Sequence, residues 1–130
     1  MLVVDANVAV LACAGPRGFD VLAGQDLVAP PLLWSEFLSS IHQGRWRNEV
    51  SAVQADQILK RFSEFPVERR MPRRLWTRAW EIAEQLGWAK TYDAEYVALA
   101  DLLGCRVVTL DRRMRRGAAR LGCVIGPDEL

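Results

Sequence analysis

The sequence predicts an α/β fold: a doubly wound α/β/α sandwich around a mainly parallel sheet of about five strands. Two observations carry this. Short apolar runs rich in β-branched residues (MLVVD, DLVAP, CRVVTLD and GCVIG) alternate with longer segments of helical periodicity. Strands alternating with helices imply a parallel sheet covered on both faces. No repeat, low-complexity stretch or linker interrupts the 130 residues, so 1–130 reads as a single domain, long enough to bury a core.

Taken in order, MLVVD is a short buried strand, and ANVAVLACAG is a helix that stops at Gly15-Pro16. FDVLAG is a second helical piece before a strand around DLVAP. Pro30 and Pro31 suit the first turn of the next helix, which LLWSEFLSSIHQ continues. Ser51 with Gln54 forms a capping box, after which Ala55, Ile58, Leu59 and Phe62 mark one helical face. FPVERRMP is flanked by proline and reads as a short edge strand or loop. Leu75, Ala79, Ile82, Ala83 and Leu86 form the next apolar stripe, ended by Gly87. TYDAEYVALA opens a further helix closed at Gly104; CRVVTLD is the clearest strand, RRMRRGAARL a short helix and GCVIG the last strand.

Composition excludes several classes. Apolar residues make up 51% and the formal net charge is +1, so the whole-chain charge selects no partner. Fifteen of the 17 cationic residues are arginine, Lys60 and Lys90 being the lysines; arginine suits phosphate, but a GC-rich genome gives the same bias. Cys13, Cys105 and Cys123 show no CxxC spacing, and the last two lie in strand-like runs as small buried hydrophobes. His42 has no His or Cys companion, which argues against zinc. Residues 1–14 lack a basic leader and contain Asp5 and Asn7. They resemble neither a signal peptide nor a membrane span, and a reducing cytoplasm is the expected location.

In a parallel sheet all strands end at one edge, where ligands bind. Asp5 closes the first strand and Asp111 closes the CRVVTL strand. A helix leading into a parallel strand runs against it, so Asp93 begins its helix at the same edge. The helix after Pro30-Pro31 also starts there, with Glu36 about 7 Å along it. Four acids distant in sequence therefore converge. Asp101 is about 12 Å further down its helix, Asp26 begins a strand, and Glu95 points to nearly the opposite side from Asp93, toward solvent.

Singly, each acid also has a structural role. Asp93 complements a helix dipole, Asp5 and Asp111 cap the helices that follow them, and Glu36 is a half-exposed helix acid. Jointly they are costly: two carboxylates about 4 Å apart repel by about 4 kcal/mol at an effective dielectric near 20. Protons or cations must relieve this, and Mg²⁺ or Mn²⁺ is the natural neutraliser for hard oxygen donors.

VVDANV at the start, WSE in an early helix, YDAEYVALA and then VVTLD resemble, in that order, the PIN-domain family. In length and layout the chain is most similar to its VapC-type toxins of bacterial and archaeal toxin–antitoxin pairs. The resemblance spans residues 1 to about 126; its most specific part is the YDA-x-Y-x-ALA helix followed by a strand ending T-x-D. It implies a metal-dependent endoribonuclease with the acidic quartet Asp5, Glu36, Asp93 and Asp111. Asn7 and Thr109 match polar positions that support those acids. Asp5, Asp93 and Asp111 are the expected metal ligands, for one or two Mg²⁺ (or Mn²⁺), and Glu36 binds metal or orients water. The family resemblance further implies an RNA substrate, a cognate VapB-type antitoxin that plugs the pocket, and a homodimer.

Arg112, Arg113, Arg115 and Arg116 follow Asp111 and are candidates for tracking RNA phosphates, although a solvated helix face accounts for such a run as well. Arg69, Arg70, Arg73 and Arg74 form a second cluster without an assigned place. The five tryptophans stack bases or pack in a core or dimer interface. A haloacid-dehalogenase-type phosphatase needs a second Asp where Asn7 stands. A receiver domain needs an acidic pair and a lysine that are absent, and no phosphate-binding glycine loop follows any strand. A non-catalytic PIN-like RNA- or protein-binding module remains as the alternative from another class.

Overall fold

The computed structural model describes all residues, 1–130, and contains one sheet of five strands, all parallel. Strands β1 (Leu2–Val4), β2 (Leu27–Ala29), β3 (Val67–Arg69), β4 (Arg106–Val108) and β5 (Val124–Ile125) lie in the order β3-β2-β1-β4-β5. The register sets Leu2 beside Leu27 and Arg106, and Val4 beside Val108. Consecutive strands thus step outward one way from β1 to β3, and the chain then returns to β4 and β5 on the other side of β1. The carboxyl ends of β1 and β4 flank the point where the order reverses, the usual ligand crevice of such sheets.

Helices α1 (Ala6–Ala14), α2 (Leu32–Trp46) and α3 (Ala52–Glu64) connect the first three strands; α4 (Leu75–Leu86), α5 (Tyr92–Leu103) and α6 (Arg112–Gly117) serve the rest. Right-handed crossovers assign these two sets to opposite faces of the sheet. The packing agrees: α1, α2 and α3 contact one another, while α5 lies against β1 and β4 with α4 packed on it. Leu2, Val3 and Val4 are buried on both sides of their strand, as are Val107 and Val108. Two-sided burial explains why these strands read as continuous apolar runs rather than alternating ones. Phe37 of α2 stacks on Phe62 of α3 at 3.7 Å between ring centres, a contact worth about 0.5–1.5 kcal/mol beyond the area it buries.

Most elements fall where the pattern put them. The Ser51–Gln54 capping box forms at the start of α3, FPVERRMP supplies the edge strand β3, and FDVLAG is a 3₁₀ turn at Gly18–Leu22. Gly104 ends α5 at φ 67°, a left-handed conformation that glycine adopts without a Cβ penalty. Four details differ. Leu59 is exposed, because the face α3 shows the core is narrow. Strand β4 stops at Val108, so Asp111 lies beyond it and caps α6. Cys105 and Cys123 are only half-buried, since each precedes its strand near the sheet's amino edge; Cys13 is the buried thiol. Helix α5 is not amphipathic: Ala94, Tyr96, Val97, Ala98, Leu99 and Ala100 are all buried, because α4 covers the side that faces away from the sheet.

Candidate active site

Each acid of the quartet is delivered by the end of an element. Asp5 follows β1, and its backbone N–H still pairs with the carbonyl of Val108, so the chain is held at the sheet edge before α1 turns away. Its side chain N-caps α1 through the Ala6 N–H at 2.7 Å. Asp111 N-caps α6, with Oδ1 accepting from the N–H groups of Arg113 and Met114. Asp93 sits in the first turn of α5, where Thr91 supplies no side-chain cap, and Glu36 lies in the second turn of α2. Capping and site membership are therefore compatible, because the helix starts stand at the sheet's ligand-binding edge.

Asp5 is buried, at 6% exposure. Desolvation pushes its pKa up to about 6, even though the Thr109 hydroxyl and the Ala6 N–H favour the ionised form; the charges of Asp93 and Glu36 add to the rise. Burial also raises Glu36 and Asp93, and the charge of Asp93 reaches Glu36 while that of Asp111 reaches Asp93. These mutual effects run through the four acids as a chain, which only proximity produces.

A polar network ties the two sides of the crevice together. Thr109, fully buried, donates its hydroxyl to Asp5 Oδ2 at 2.6 Å and accepts from the Asp111 N–H at 3.0 Å. Asn7 donates to Thr109 Oγ1 at 3.3 Å and accepts from the Leu110 N–H at 3.1 Å. Asn7 and Thr109 thus lock the ends of β1 and β4 to each other. Tyr96, buried on α5, donates its hydroxyl to Glu36 Oε1 at 2.6 Å. Burial, with the bond to Glu36 and the charges of the nearby acids adding to it, raises the tyrosine pKa well above its usual range. The sequence motif contains Tyr96 but assigns it no role in the site. Its place three residues after Asp93 was the signal that it shares the acid face of α5.

An open pocket of about 370 Å³ is lined by Glu36, Asp93, Lys90, Tyr92 and Arg113. Two cations at the rim of an acidic pocket suit an anionic ligand that must approach carboxylates. Of the arginine run, Arg112, Arg113 and Arg116 are exposed, whereas Arg115 is engaged by Glu129 of the C-terminal 3₁₀ turn. Lys90 was invisible as a site residue, since it lies in the loop between α4 and α5 and nothing in its spacing ties it to Asp93.

Glu95 corrects the sequence reading. It is half-buried, accepts a hydrogen bond from Trp76 Nε1 at 3.2 Å, and has its pKa raised by burial and by the nearby Glu36. The side of α5 opposite Asp93 is covered by α4, so pointing away from the pocket does not mean pointing into water. Asp101, further along α5, is paired at the surface with Arg78 at 2.7 Å.

A family model for the PIN domain matches residues 2–119. The chain belongs to the PIN-domain family. This PIN chain is 34% identical over 115 residues to VapC ribonuclease Mb0985 of Mycobacterium bovis, the match covering 88% of both chains. Ribonuclease VapC9 of Mycobacterium tuberculosis matches with the same identity and coverage. Among solved structures, PAE2754 from Pyrobaculum aerophilum shares the PIN chain's fold with a TM-score of 0.74, at 23% identity over 98% of this chain and 84% of that one. No helix is long and apolar enough to cross a membrane.

Whether the PIN site suits a metal is decided by donor type and charge. The quartet offers only carboxylate oxygens, the ligands of Mg²⁺ and Mn²⁺, with no thiol or imidazole among them. No three acidic, histidine or cysteine side chains are arranged to hold one ion between them. Mg²⁺ keeps several waters and needs only one or two carboxylates; burial, with the charges of neighbouring acids adding to it, disfavours the ionised forms of Asp5, Glu36 and Asp93, and a bound cation offsets that cost. The donor set fits such an ion.

Proposed function

We propose that the protein is a VapC-like toxin: a metal-dependent endoribonuclease, a single PIN-like domain over 1–130, held in check in the cytoplasm by a cognate antitoxin. The observation that carries this reading is the gathering of Asp5, Glu36, Asp93 and Asp111 at one sheet edge, each within electrostatic reach of another. Similarity to VapC ribonucleases over 88% of the chain supports the choice of RNA and of an antitoxin partner; a homodimer is the further assembly this reading expects.

In this mechanism Asp5, Asp93 and Asp111 would hold Mg²⁺ or Mn²⁺, directly or through waters. When bound, the cation supplies Lewis acidity, which acidifies water and offsets charge on the phosphodiester. Glu36 orients the attacking water and accepts its proton; its raised pKa makes it a stronger base, and the Tyr96 hydroxyl fixes its carboxylate. Thr109 and Asn7 keep Asp5 and the loop to Asp111 in place. Arg113 and Lys90 draw the phosphate into the acidic pocket, while Arg112 and Arg116 extend the phosphate track.

The test is incubation of the purified protein with pooled cellular RNA in Mg²⁺ or Mn²⁺, in EDTA, and with Asp93→Asn. Cleavage is expected only for the unmodified chain with metal. Cleavage that persists in EDTA or in the variant overturns the mechanism.

A further inference from the structure

Helix α6 carries cations on two sides. Arg113 lines the acidic pocket, while Arg112, Arg115 and Arg116 line a separate open groove of about 430 Å³ together with Ala119 and with Val124 of β5. Residues 112, 115, 116 and 119 follow helical spacing, so their side chains share one face. The other side of α6 is anchored, with Met114 and Ala118 buried in the core.

Like charges at i, i+3 and i+4 repel and weaken a helix, yet Arg112 and Arg116 have no acidic partner within 4 Å. Arg115 alone is met, by Glu129 of the 3₁₀ turn Pro127–Glu129. The same Glu129 Oε1 accepts the Gly126 N–H at 3.1 Å. Gly126 allows this close approach, since a Cβ there would lie 2.9 Å from Arg115 Nη1 and 2.6 Å from Asp128 Oδ1. The turn therefore presents a carboxylate to the middle guanidinium of the row. Both partners of that pair are partly exposed, and such pairs hold weakly, so a phosphate oxygen can take the place of the carboxylate. A row of charges that breaks local helix rules, with little relief inside the chain, marks a ligand position. Guanidinium groups suit phosphate oxygens because their N–H donors come in planar pairs.

We propose that the arginine face of α6 is a phosphate subsite for the RNA strand flanking the cut, and that Glu129 occupies its middle guanidinium until a phosphodiester displaces it. Arg112 and Arg116 make the first contacts, and Arg115 joins them once Glu129 has given way. In the unbound protein Glu129 thus holds one cation back and lowers affinity for RNA. The inference rests on the ribonuclease reading for its ligand, and binding tests it apart from cleavage.

The probe is a fluorescently labelled single-stranded oligoribonucleotide, followed by anisotropy over a range of salt in EDTA, where cleavage is absent under the proposed mechanism. Arg112→Gln and Arg116→Gln are each expected to lower the slope of log affinity against log salt by about 0.7, the value for one phosphate contact on a single strand. Glu129→Gln is expected to bind about two- to fivefold tighter, as for the gain of one exposed ion pair. Asp56→Asn removes the same charge from an exposed position on α3 and is expected to change affinity less. Adding Arg115→Gln to Glu129→Gln is expected to cancel the gain. Melting temperature establishes that each variant is folded. Equal affinity of Glu129→Gln and Asp56→Asn, or a gain that survives the loss of Arg115, overturns the displacement and leaves Glu129 as a strap for its turn. Unmoved slopes in both Arg112→Gln and Arg116→Gln overturn the subsite even where RNA is cleaved. Inorganic phosphate that raises the melting temperature through these arginines, with RNA affinity indifferent to them, overturns it in favour of a free anion. RNA binding that depends on the row, in a protein that cleaves no RNA, keeps the subsite and removes the ribonuclease.

Discussion

At the residue scale, the hydroxyl of Tyr96 decides how Glu36 behaves. It donates at 2.6 Å to a half-buried carboxylate whose pKa is raised by burial, lowered by this bond and raised again by Asp93. Tyr96→Phe removes the one lowering influence and nearly preserves volume. The acid limb of the pH–rate profile for RNA cleavage is expected to move to higher pH, with stability reduced by about 1 kcal/mol; an unmoved limb removes Tyr96 from the mechanism. Asp5 gives a second prediction, in which the direction matters. Its folded pKa of about 6 lies above the ordinary carboxylate value of 3.8, so the folded state holds the proton more tightly than the unfolded chain. Between those values stability falls as pH rises, and the penalty is complete above the folded pKa. In EDTA at neutral pH, Asp5→Asn is therefore expected to melt higher than the unmodified protein, with the gap closing toward pH 4. Mn²⁺ is expected to stabilise the unmodified protein and not the variant. A variant that melts lower at neutral pH would falsify this account of the Asp5 charge.

Elements carry double duty at the sheet edge. Asp111 both caps α6, through the N–H groups of Arg113 and Met114, and contributes charge beside Asp93. Two substitutions separate the roles, because Asn caps as well as Asp while Ala does not. Asp111→Asn is expected to hold stability within about 0.5 kcal/mol and Asp111→Ala to lose about 1 kcal/mol, as measured by urea unfolding, with RNA cleavage lost in both. Cleavage retained by Asp111→Asn would leave the residue as a cap alone. The element scale is also where the sequence was most legible. Apolar runs gave the strands, and the Ser51–Gln54 box gave the start of α3. Helix α5 was misjudged in one respect: periodicity records which residues are apolar, and it does not record that α4 packs on the far side and leaves Glu95 only half-exposed beside Trp76.

Across the whole molecule, the strand order β3-β2-β1-β4-β5 brings residues more than a hundred positions apart into one crevice, as the Thr109–Asp5 bond shows. The sequence by itself determined the alternation of strands and helices, and with it the edge at which Asp5, Glu36, Asp93 and Asp111 had to emerge. A parallel sheet has one carboxyl edge, so the order of elements is enough to sort acids between its two ends. Only the tertiary structure decided that Tyr96 holds Glu36 and that Lys90 joins Arg113 in lining the pocket, and it set Thr109, already expected beside the acids, on Asp5. It also set Trp76 against Glu95. Such pairings depend on how helices pack across one another, and the distances that govern hydrogen bonds and charge effects, a few ångströms, are set by that packing rather than by spacing along the chain.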